Sequence, residues 1–403
     1  MGDDAPLEAV SASVPIDSSR AAIAEPGASL RRAFVVVVSV VFLGLLPLWP
    51  LSVMFGNVLF GGAHVTDFRN TFYPAADAVL HGHSPYPHAG DDALALGRAY
   101  VYPPLTALVA VPSRLLPLGV AQMVVLVLLT ATVFLTLWVL GVRDWRCYGV
   151  VVLWPPFLAA LKTGNITAPL CLAAALAWRY RDSARYSGAS VGVSLAAKLF
   201  LWPLVVWQAA TSKWRAVAVS LGVAAVLLLA SWTVIGFAGL TGYPDLLRRL
   251  QNLEAPQSYT LYALGLDLGA PSWLARAIWI AVAVGLLAGS ALLARRGDDR
   301  RAFILALTTA LACSPIVWLN YFLLLMVIVA VAGPRLGSAW FVPLVMYASA
   351  STYNGSTFQN ALTLAAAAFT VSLALRTPER PTDAERRADQ GACLRTIVTS
   401  PSR

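Results

Sequence analysis

Long apolar runs separated by short basic clusters constrain this chain more than any other feature of its sequence. The first run extends from Ala33 to Phe55 without a charged residue, which exceeds the ~20 residues that an α-helix needs to cross a bilayer. Charged residues make up 12% of the chain, about half the fraction found in soluble domains. Because the runs are continuous rather than alternating, they favour helices over the strands of a transmembrane barrel. The sequence therefore predicts an all-α, polytopic membrane protein.

The basic clusters predict how the chain crosses the membrane. Arg31 and Arg32 precede the first run, and further Arg and Lys residues recur between alternate runs. Since connections rich in these residues stay in the cytoplasm, we expect about twelve crossings with both chain ends inside. The apolar piece from Leu105 to Leu118 breaks this parity, and we interpret it as re-entrant or interfacial. The predicted crossings are residues 33–55, 121–142, 147–161, 166–180, 187–198, 199–211, 216–237, 272–294, 302–317, 319–333, 337–350 and 361–376.

The segments outside these runs complete the domain organisation. Residues 1–30 are rich in Ala, Ser, Pro and Asp, a composition that predicts a disordered cytoplasmic segment. The first run is too long for a cleavable signal peptide, so we expect it to remain in the protein. Residues 31–376 are predicted to form one transmembrane domain with a long first outer loop at 56–104, and residues 377–403 a disordered cytoplasmic tail. The net charge of +9 is carried by topology determinants, and no nucleic-acid partner is expected.

Polar residues that do not fit a bilayer are predicted to meet on the outer side. The cytoplasmic connections are short and basic, whereas the outer connections carry residues suited to chemistry or binding. We therefore expect the functional site at the extracytoplasmic face. The residues placed there are Asp67, Tyr102, Lys162, Asn165, Lys198, Trp318, Asn320 and Asn354.

Two of these residues carry alternative interpretations. Asp67 is a candidate catalytic carboxylate, although Thr66-Asp67 would also suit the start of an interfacial helix. Lys198 lies inside an apolar run, where an ammonium group is expensive in lipid and indicates function. A lysine at such a position also fits snorkelling to the interface.

The histidines do not predict a metal site. His64, His81, His83 and His88 lie in the first outer loop near Asp91, but histidines beside Gly and Pro are commonly polar turn residues. The cysteines have no paired spacing. The sequence contains no phosphate-binding loop, dinucleotide fingerprint or nucleophile elbow, which argues against a primary pump. We expect neither a metal nor a cofactor.

Five motifs in order resemble the signature of glycosyltransferase family 87. The segment from Asp67 through Tyr73-Pro74-Ala75-Ala76 to Gly82-His83-Ser84-Pro85-Tyr86 resembles the first outer loop of that family, and Tyr102-Pro103-Pro104 resembles its Tyr-Pro-Pro corner. Gly164-Asn165, Ala197-Lys198-Leu199 with Pro203, and Ser314-Pro315 through Asn320-Tyr321 are similar to three further motifs. Each motif is weak alone, but five in sequence over residues 30–375 are fairly specific.

This resemblance implies a membrane transferase of the GT-C architecture. Such enzymes take a sugar from a polyprenyl-phosphate carrier and pass it to a lipid-linked or polymeric glycan at the outer face. The best-known member of the family is the mannosyltransferase that extends phosphatidylinositol mannosides, so the resemblance implies mannose as the first candidate sugar. By position, Asp67 matches the catalytic aspartate, and Lys198 and Arg69 are candidates for the donor phosphate. The candidates for binding sugar or acceptor are Tyr73, Tyr102, Asn165, Trp318 and Asn320.

Two departures from the family pattern keep other functions open. Asn320 stands where the family usually has histidine, and an amide cannot titrate. Asn165 follows Gly164 directly, where the family often has glutamine. These changes leave a pentose donor such as arabinofuranose open. A lipid or sugar transporter, or a flippase, would also suit many crossings with an intramembrane lysine, and an inactive scaffolding relative is the third alternative.

Overall fold

The computed structural model describes residues 26–62, 64–87, 91–349 and 354–378. The chain is 75% helical, and no strand occurs in these four ranges, so the all-α prediction is confirmed. Seventeen α-helices follow one another along the described chain. They are α1 Pro26–Ser39, α2 Leu48–Leu59, α3 Tyr73–Leu80, α4 Pro104–Ala110, α5 Leu118–Val139, α6 Trp145–Val152, α7 Pro155–Thr163, α8 Thr167–Arg179, α9 Ala184–Ala197, α10 Pro203–Ala210, α11 Trp214–Val234, α12 Tyr243–Glu254, α13 Leu261–Asp267, α14 Ser272–Arg295, α15 Asp299–Cys313, α16 Leu325–Ala332 and α17 Thr357–Arg376.

Five helical segments of the described chain are long and apolar enough to cross a membrane. The segment Ala33–Leu59 joins α1 and α2 through a π-helical turn, and the other four are α5, α11, α14 and α17. Many of their large apolar side chains are exposed on the outer surface, as lipid-facing residues are. The structure thus supports a membrane protein, while the predicted count of twelve crossings is not confirmed.

Several of the remaining predicted crossings are divided into short pieces. The run at 319–333 begins as a 3₁₀ helix, Leu319–Leu324, and continues as α16, and the run at 147–161 is split between α6 and α7 before Pro155. The side chains from Leu323 to Ile328 are fully buried. Irregular backbone is tolerated at membrane depth when protein rather than lipid surrounds it, and these pieces are enclosed in that way.

Close packing of α9 against α11 fixes one wall of the interior. Gly188 and Gly192 stand four residues apart on α9, and a Cβ atom added to either would lie 2.7 Å or 2.6 Å from a backbone oxygen of α11. Small residues at this spacing allow two membrane helices to approach closely. The contact holds Lys198, at the end of α9, close to the last turns of α11.

Basic connections gather at one end of the molecule, which we call the basic end. Asp299 at the start of α15 forms an ion pair with Lys213 at 3.0 Å and a longer one with Arg181 at 3.7 Å. These contacts join the turn after α8, the turn before α11 and the turn before α15. The helices that begin after these turns are α9, α11 and α15, and their other ends lie at Lys198, Trp232 and Cys313, where a large cavity opens. The structure therefore separates the basic connections from the polar candidates, as the basic clusters predicted.

One boundary differs from the sequence prediction. α1 begins at Pro26, five residues inside the stretch expected to be disordered, because the apolar helix continues backward through Arg31 and Arg32. The apolar piece Leu105–Leu118 forms α4 and a short 3₁₀ turn, and neither is long enough to cross a bilayer. The predictions for residues 1–25 and 379–403 lie outside the described residues.

Candidate active site

A cavity of about 640 Å³ lies at the end of the molecule opposite the basic end. Its volume is typical of a site for a small ligand or part of a larger one. One side is apolar and includes Leu228 and Trp232 of the membrane helix α11. The polar residues that line it include Asp67, Tyr102, Asn165, Lys198, Gln251, Glu254, Trp318 and Tyr321.

Asp67 lies where the first outer loop enters a helix with irregular geometry. A π-helical turn, Phe68–Phe72, follows it directly, and such turns occur frequently at functional sites. The backbone N–H of Val65 donates to Oε1 of buried Gln122 on α5 at 2.7 Å. Because Phe68 and Phe72 are also buried, the loop is fixed on both sides of the carboxylate.

Asn165 joins this loop to the turn after α7. Its Nδ2 donates to Oδ2 of Asp67 at 2.9 Å and to the hydroxyl of Tyr102 at 2.9 Å. Gly164 makes the contact possible. It adopts φ +68°, and an added Cβ would lie 2.3 Å from Cγ1 of Val65. A glycine is therefore required at this position both by the backbone conformation and by the approach of the loop.

A chain of hydrogen bonds supports Asn165 from behind the cavity. Nδ2 of Asn320 donates to Oγ1 of Thr167 at 3.0 Å, and this hydroxyl donates a long hydrogen bond of 3.4 Å to Oδ1 of Asn165. The carbonyl of Asn165 is thereby turned toward Thr167, and its amino group toward Asp67. Asn320 is 2% exposed and does not line the cavity, so it acts on the site through Thr167 and Asn165.

Lys198 lies in a cage of aromatic rings beside Asp67. Its backbone is extended between α9 and the next 3₁₀ turn, which directs the side chain into the cavity. Its Nζ donates to the hydroxyl of Tyr321, and it lies 4.0 Å from the ring centroid of Tyr321 and 5.2 Å from that of Tyr102. Rings at these distances stabilise an ammonium ion. No carboxylate of the described chain forms a direct ion pair with Lys198, so its charge remains available to a ligand.

The electrostatic environment of Asp67 combines opposing effects. Burial raises the pKa of its carboxyl group above the ordinary value, while the hydrogen bond from Asn165 and the charge of Lys198 partly offset this shift. Burial disfavours the charged form, whereas hydrogen bonds and cations favour it. The result is a carboxylate that binds a proton more tightly than a solvated aspartate, which suits a group that accepts a proton in a reaction.

A second carboxylate lines the same cavity. Glu254 ends α12, whose side chains facing the cavity also include Leu247, Leu250 and Gln251. Burial raises the pKa of Glu254 to about 7, with a further contribution from Asp67, and Lys198 opposes the shift. The cavity thus contains two carboxylates and one ammonium group close to one another.

A family model ties this geometry to a known group of proteins. The model of glycosyltransferase family 87 matches residues 100–315, more than half of the chain. The chain belongs to glycosyltransferase family 87. No curated protein and no solved structure matches the chain. The match makes the protein a membrane glycosyltransferase and confirms the resemblance of its motifs to the family. Asp67 lies before the matched region, and Trp318 and Asn320 lie just beyond it.

Three residues predicted for the site of this family 87 protein do not line the cavity: Asn320, which lies behind it, Arg69 and Tyr73. Arg69 is exposed. The ring of Tyr73 lies beneath the Arg114 guanidinium, 4.1 Å from its Cζ, and the Tyr73 hydroxyl donates to the backbone oxygen of Leu116. Arg114 also forms an ion pair of 2.7 Å with Asp77. These contacts give Tyr73 a packing role between α3 and the segment after α4.

Much of the aromatic content of the first outer loop also serves packing. Tyr86 stacks on Trp232 with ring centroids 5.3 Å apart, and its hydroxyl donates to the backbone oxygen of Tyr102. The Pro-Tyr part of the loop motif therefore anchors the loop to α11. The histidines of the loop form no metal-binding group within the described residues, and His88 lies outside them.

Several residues of this candidate site were not predicted from the sequence, among them Gln122, Thr167 and Glu254. Gln122 and Thr167 stand in apolar helices, and a polar residue in such a helix is a usable signal. Glu254 ends an amphipathic helix with Arg248 and Arg249 on its other side, so by pattern it belongs to a solvated face. Only the placement of α12 over the cavity distinguishes Glu254 from an ordinary surface glutamate.

Proposed function

We propose that this family 87 glycosyltransferase moves a sugar from a polyprenyl-phosphate carrier to a lipid-linked or polymeric glycan, with inversion at the anomeric carbon. Mannose is the first candidate sugar. The observation that carries the proposal is the juxtaposition of Asp67, held by Asn165, with the caged ammonium of Lys198 in one cavity with an apolar side. The cavity lies opposite the basic end, which supports a site on the extracytoplasmic face.

Asp67 is the proposed general base. The acceptor hydroxyl attacks the anomeric carbon of the donor sugar, a new C–O bond forms, and Asp67 takes the hydroxyl proton. A positioned base of this kind contributes about 10²–10⁴-fold to a rate. The raised pKa of Asp67 makes it a better proton acceptor than a solvated aspartate, since base strength increases with pKa.

Lys198 is the proposed partner of the phosphate. As the bond from the anomeric carbon to the phosphate oxygen breaks, the carrier leaves as a phosphate monoester and gains negative charge. A cation fixed beside this oxygen stabilises the developing charge. Because phosphate leaves without being protonated, no second carboxylic acid is needed, in contrast to glycoside hydrolysis. A single attack from the face opposite the phosphate gives inversion.

The apolar side of the cavity supports a lipid-linked donor. Leu228 and Trp232 lie on a helix that is long and apolar enough to cross the membrane, and Leu247 and Leu250 of α12 lie across from them. A prenyl chain leaving this cavity along α11 would pass directly into lipid, which suits a polyprenyl carrier better than a soluble nucleotide sugar. Tyr102 and Trp318 supply rings on which a sugar face can stack.

The test is sugar transfer in membranes that contain the wild type or Asp67→Asn. Radiolabelled polyprenyl-phosphate-mannose is supplied, and label in the endogenous lipids is measured. We expect transfer by the wild type and a loss of at least about a hundredfold in the variant, because the amide cannot accept the proton. The same assay with a polyprenyl-phosphate pentose identifies the alternative donor. A wild type that transfers neither sugar refutes the proposal in favour of a transporter, flippase or scaffold, and undiminished transfer by Asp67→Asn refutes the role of the base.

A further inference from the structure

α12 presents two different faces to its surroundings. Leu247, Leu250, Gln251 and Glu254 line the cavity, a spacing that places them on one face of the helix. Asp245 and Arg248 lie on the other side, where they form an exposed ion pair of 3.2 Å. The helix therefore brings two polar groups to the cavity although most of its charged residues face away from it.

The Glu254 carboxylate has unused capacity to accept hydrogen bonds. It is partly buried, and in the described part of the chain it forms no hydrogen bond or direct ion pair. The polar groups across the cavity are already engaged. The amino group of Asn165 donates to Asp67 and Tyr102, and Lys198 donates to Tyr321. A carboxylate that lines a cavity and has no partner in the protein is available to hydrogen-bond donors of a ligand.

The negative charge of the ionised Glu254 carboxylate restricts the ligands that it can bind. An ionised carboxylate only accepts hydrogen bonds, and it repels the phosphate of the donor. Lys198 is the cation of the cavity and takes the phosphate in the mechanism above. The remaining substrate is the acceptor, whose sugar hydroxyl groups are hydrogen-bond donors. Glu254 is near enough to both Asp67 and Lys198 to interact with them electrostatically, so an acceptor bound at Glu254 lies beside the proposed base and the proposed phosphate partner.

We propose that Glu254 binds hydroxyl groups of the acceptor glycan and places the attacking hydroxyl at Asp67. This inference rests on the proposed function and adds the acceptor subsite to it. Gln251, one turn earlier on the same face of α12, borders the same subsite. The acceptor class is accordingly a glycan with at least two free hydroxyl groups, one to bind Glu254 and one to react.

The test compares Glu254→Gln with Asp245→Asn, which removes the same charge from the side of the same helix that faces away from the cavity. The acceptor probe is the total lipid extract of the source membranes, titrated against a fixed donor concentration in detergent. We expect Glu254→Gln to raise the apparent KM for the extract about ten- to a hundredfold, the effect of weakening a hydrogen bond to a charged group. The kcat should stay within about threefold, and the KM for the donor should not change. Asp245→Asn should match the wild type.

The pH dependence provides a second readout. Since the pKa of Glu254 is raised to about 7, its carboxylate form is lost as the pH falls through about 7. The acceptor KM of the wild type should therefore rise below that pH, and that of Glu254→Gln should not. The other titratable groups facing Glu254 are Asp67, Lys198, Tyr102 and Tyr321. They are present in both proteins, so the difference between the two profiles reports the Glu254 carboxylate together with its electrostatic effect on these groups.

The outcomes separate the two proposals. An active wild type with an unchanged acceptor KM in Glu254→Gln refutes the subsite but not the transferase. A loss of kcat at saturating extract with unchanged KM also refutes it, since Glu254 would then act in the chemical step. A wild type that transfers no sugar refutes the proposed function and the subsite together.

Discussion

Asn165→Ala tests the contact on which the site depends. The change removes the 2.9 Å hydrogen bond to Asp67 and the matching bond to Tyr102. A hydrogen bond to a charged group contributes about 1.5–3 kcal/mol net, and each 1.36 kcal/mol corresponds to a factor of ten in rate. If the bond fixes Asp67 for proton transfer, kcat should fall about ten- to 150-fold.

The pH profile of this variant gives an independent measure. The hydrogen bond from Asn165 lowers the pKa of Asp67 against the larger effect of burial, so its loss raises that pKa further. Because only the ionised carboxylate can accept the proton, the acid limb of kcat should move to higher pH. The deficit of the variant should consequently shrink as the pH increases.

The assay is transfer of labelled sugar from one polyprenyl-phosphate donor into endogenous lipids. It is measured from about pH 5 to 9 at equal amounts of membrane protein. Lys162→Ala is the matched control, because Lys162 lies in the last turn of α7, three residues before Asn165, and its side chain is exposed. We expect wild-type behaviour from the control. A kcat and an acid limb for Asn165→Ala that both equal those of the wild type would refute the reasoning, as would an equal loss in the control.

Three further predictions address the backbone, the phosphate and the topology. Gly164→Ala should lower kcat at least about tenfold and the melting temperature as well, because its Cβ would lie 2.3 Å from a side chain of the first outer loop at a positive φ; Gly222→Ala, whose Cβ meets nothing within 4 Å, should do neither. Lys198→Ala should raise the donor KM at least about tenfold and also lower kcat, because the lost charge faces the leaving phosphate. Lys198→Arg should retain part of the activity, and unchanged kinetics in Lys198→Ala would remove the phosphate role. A cysteine at Asp91 should react with an impermeant thiol reagent in intact cells and one at Asp182 should not, and the reverse labelling would place the cavity on the cytoplasmic side.

The structure brings some residues of the motifs to the cavity and leaves others away from it. Asp67, Asn165 and Lys198 are far apart in the chain, and the structure brings all three to one cavity. Asn320 was predicted to bind sugar or acceptor, yet it lies behind the cavity and reaches Asp67 only through Thr167 and Asn165. A motif can indicate that a residue lies near a site. Whether that residue lines the cavity or supports another residue depends on the neighbours that its side chain contacts.

The number of crossings illustrates a similar limit. A hydropathy profile treats each segment as if lipid surrounded it. That assumption is valid for α5 and α14, most of whose side chains are not buried in the protein. The segment Leu319–Ala332 is as apolar but is buried in protein, where a 3₁₀ start and a short helix are sufficient. Apolar content alone does not distinguish these two environments.

The apolar runs and the basic clusters were sufficient to predict a membrane protein of the helical class whose basic connections lie apart from its polar residues. These follow from local properties, since an apolar run must satisfy its own backbone in lipid and a basic connection remains in the cytoplasm. Two features of the cavity are visible only in the folded protein. Glu254 lines the cavity, and Gly164 lets the first outer loop reach Asn165. Both depend on which surfaces of distant segments meet, and neither the hydropathy of α12 nor the composition of a turn carries that information.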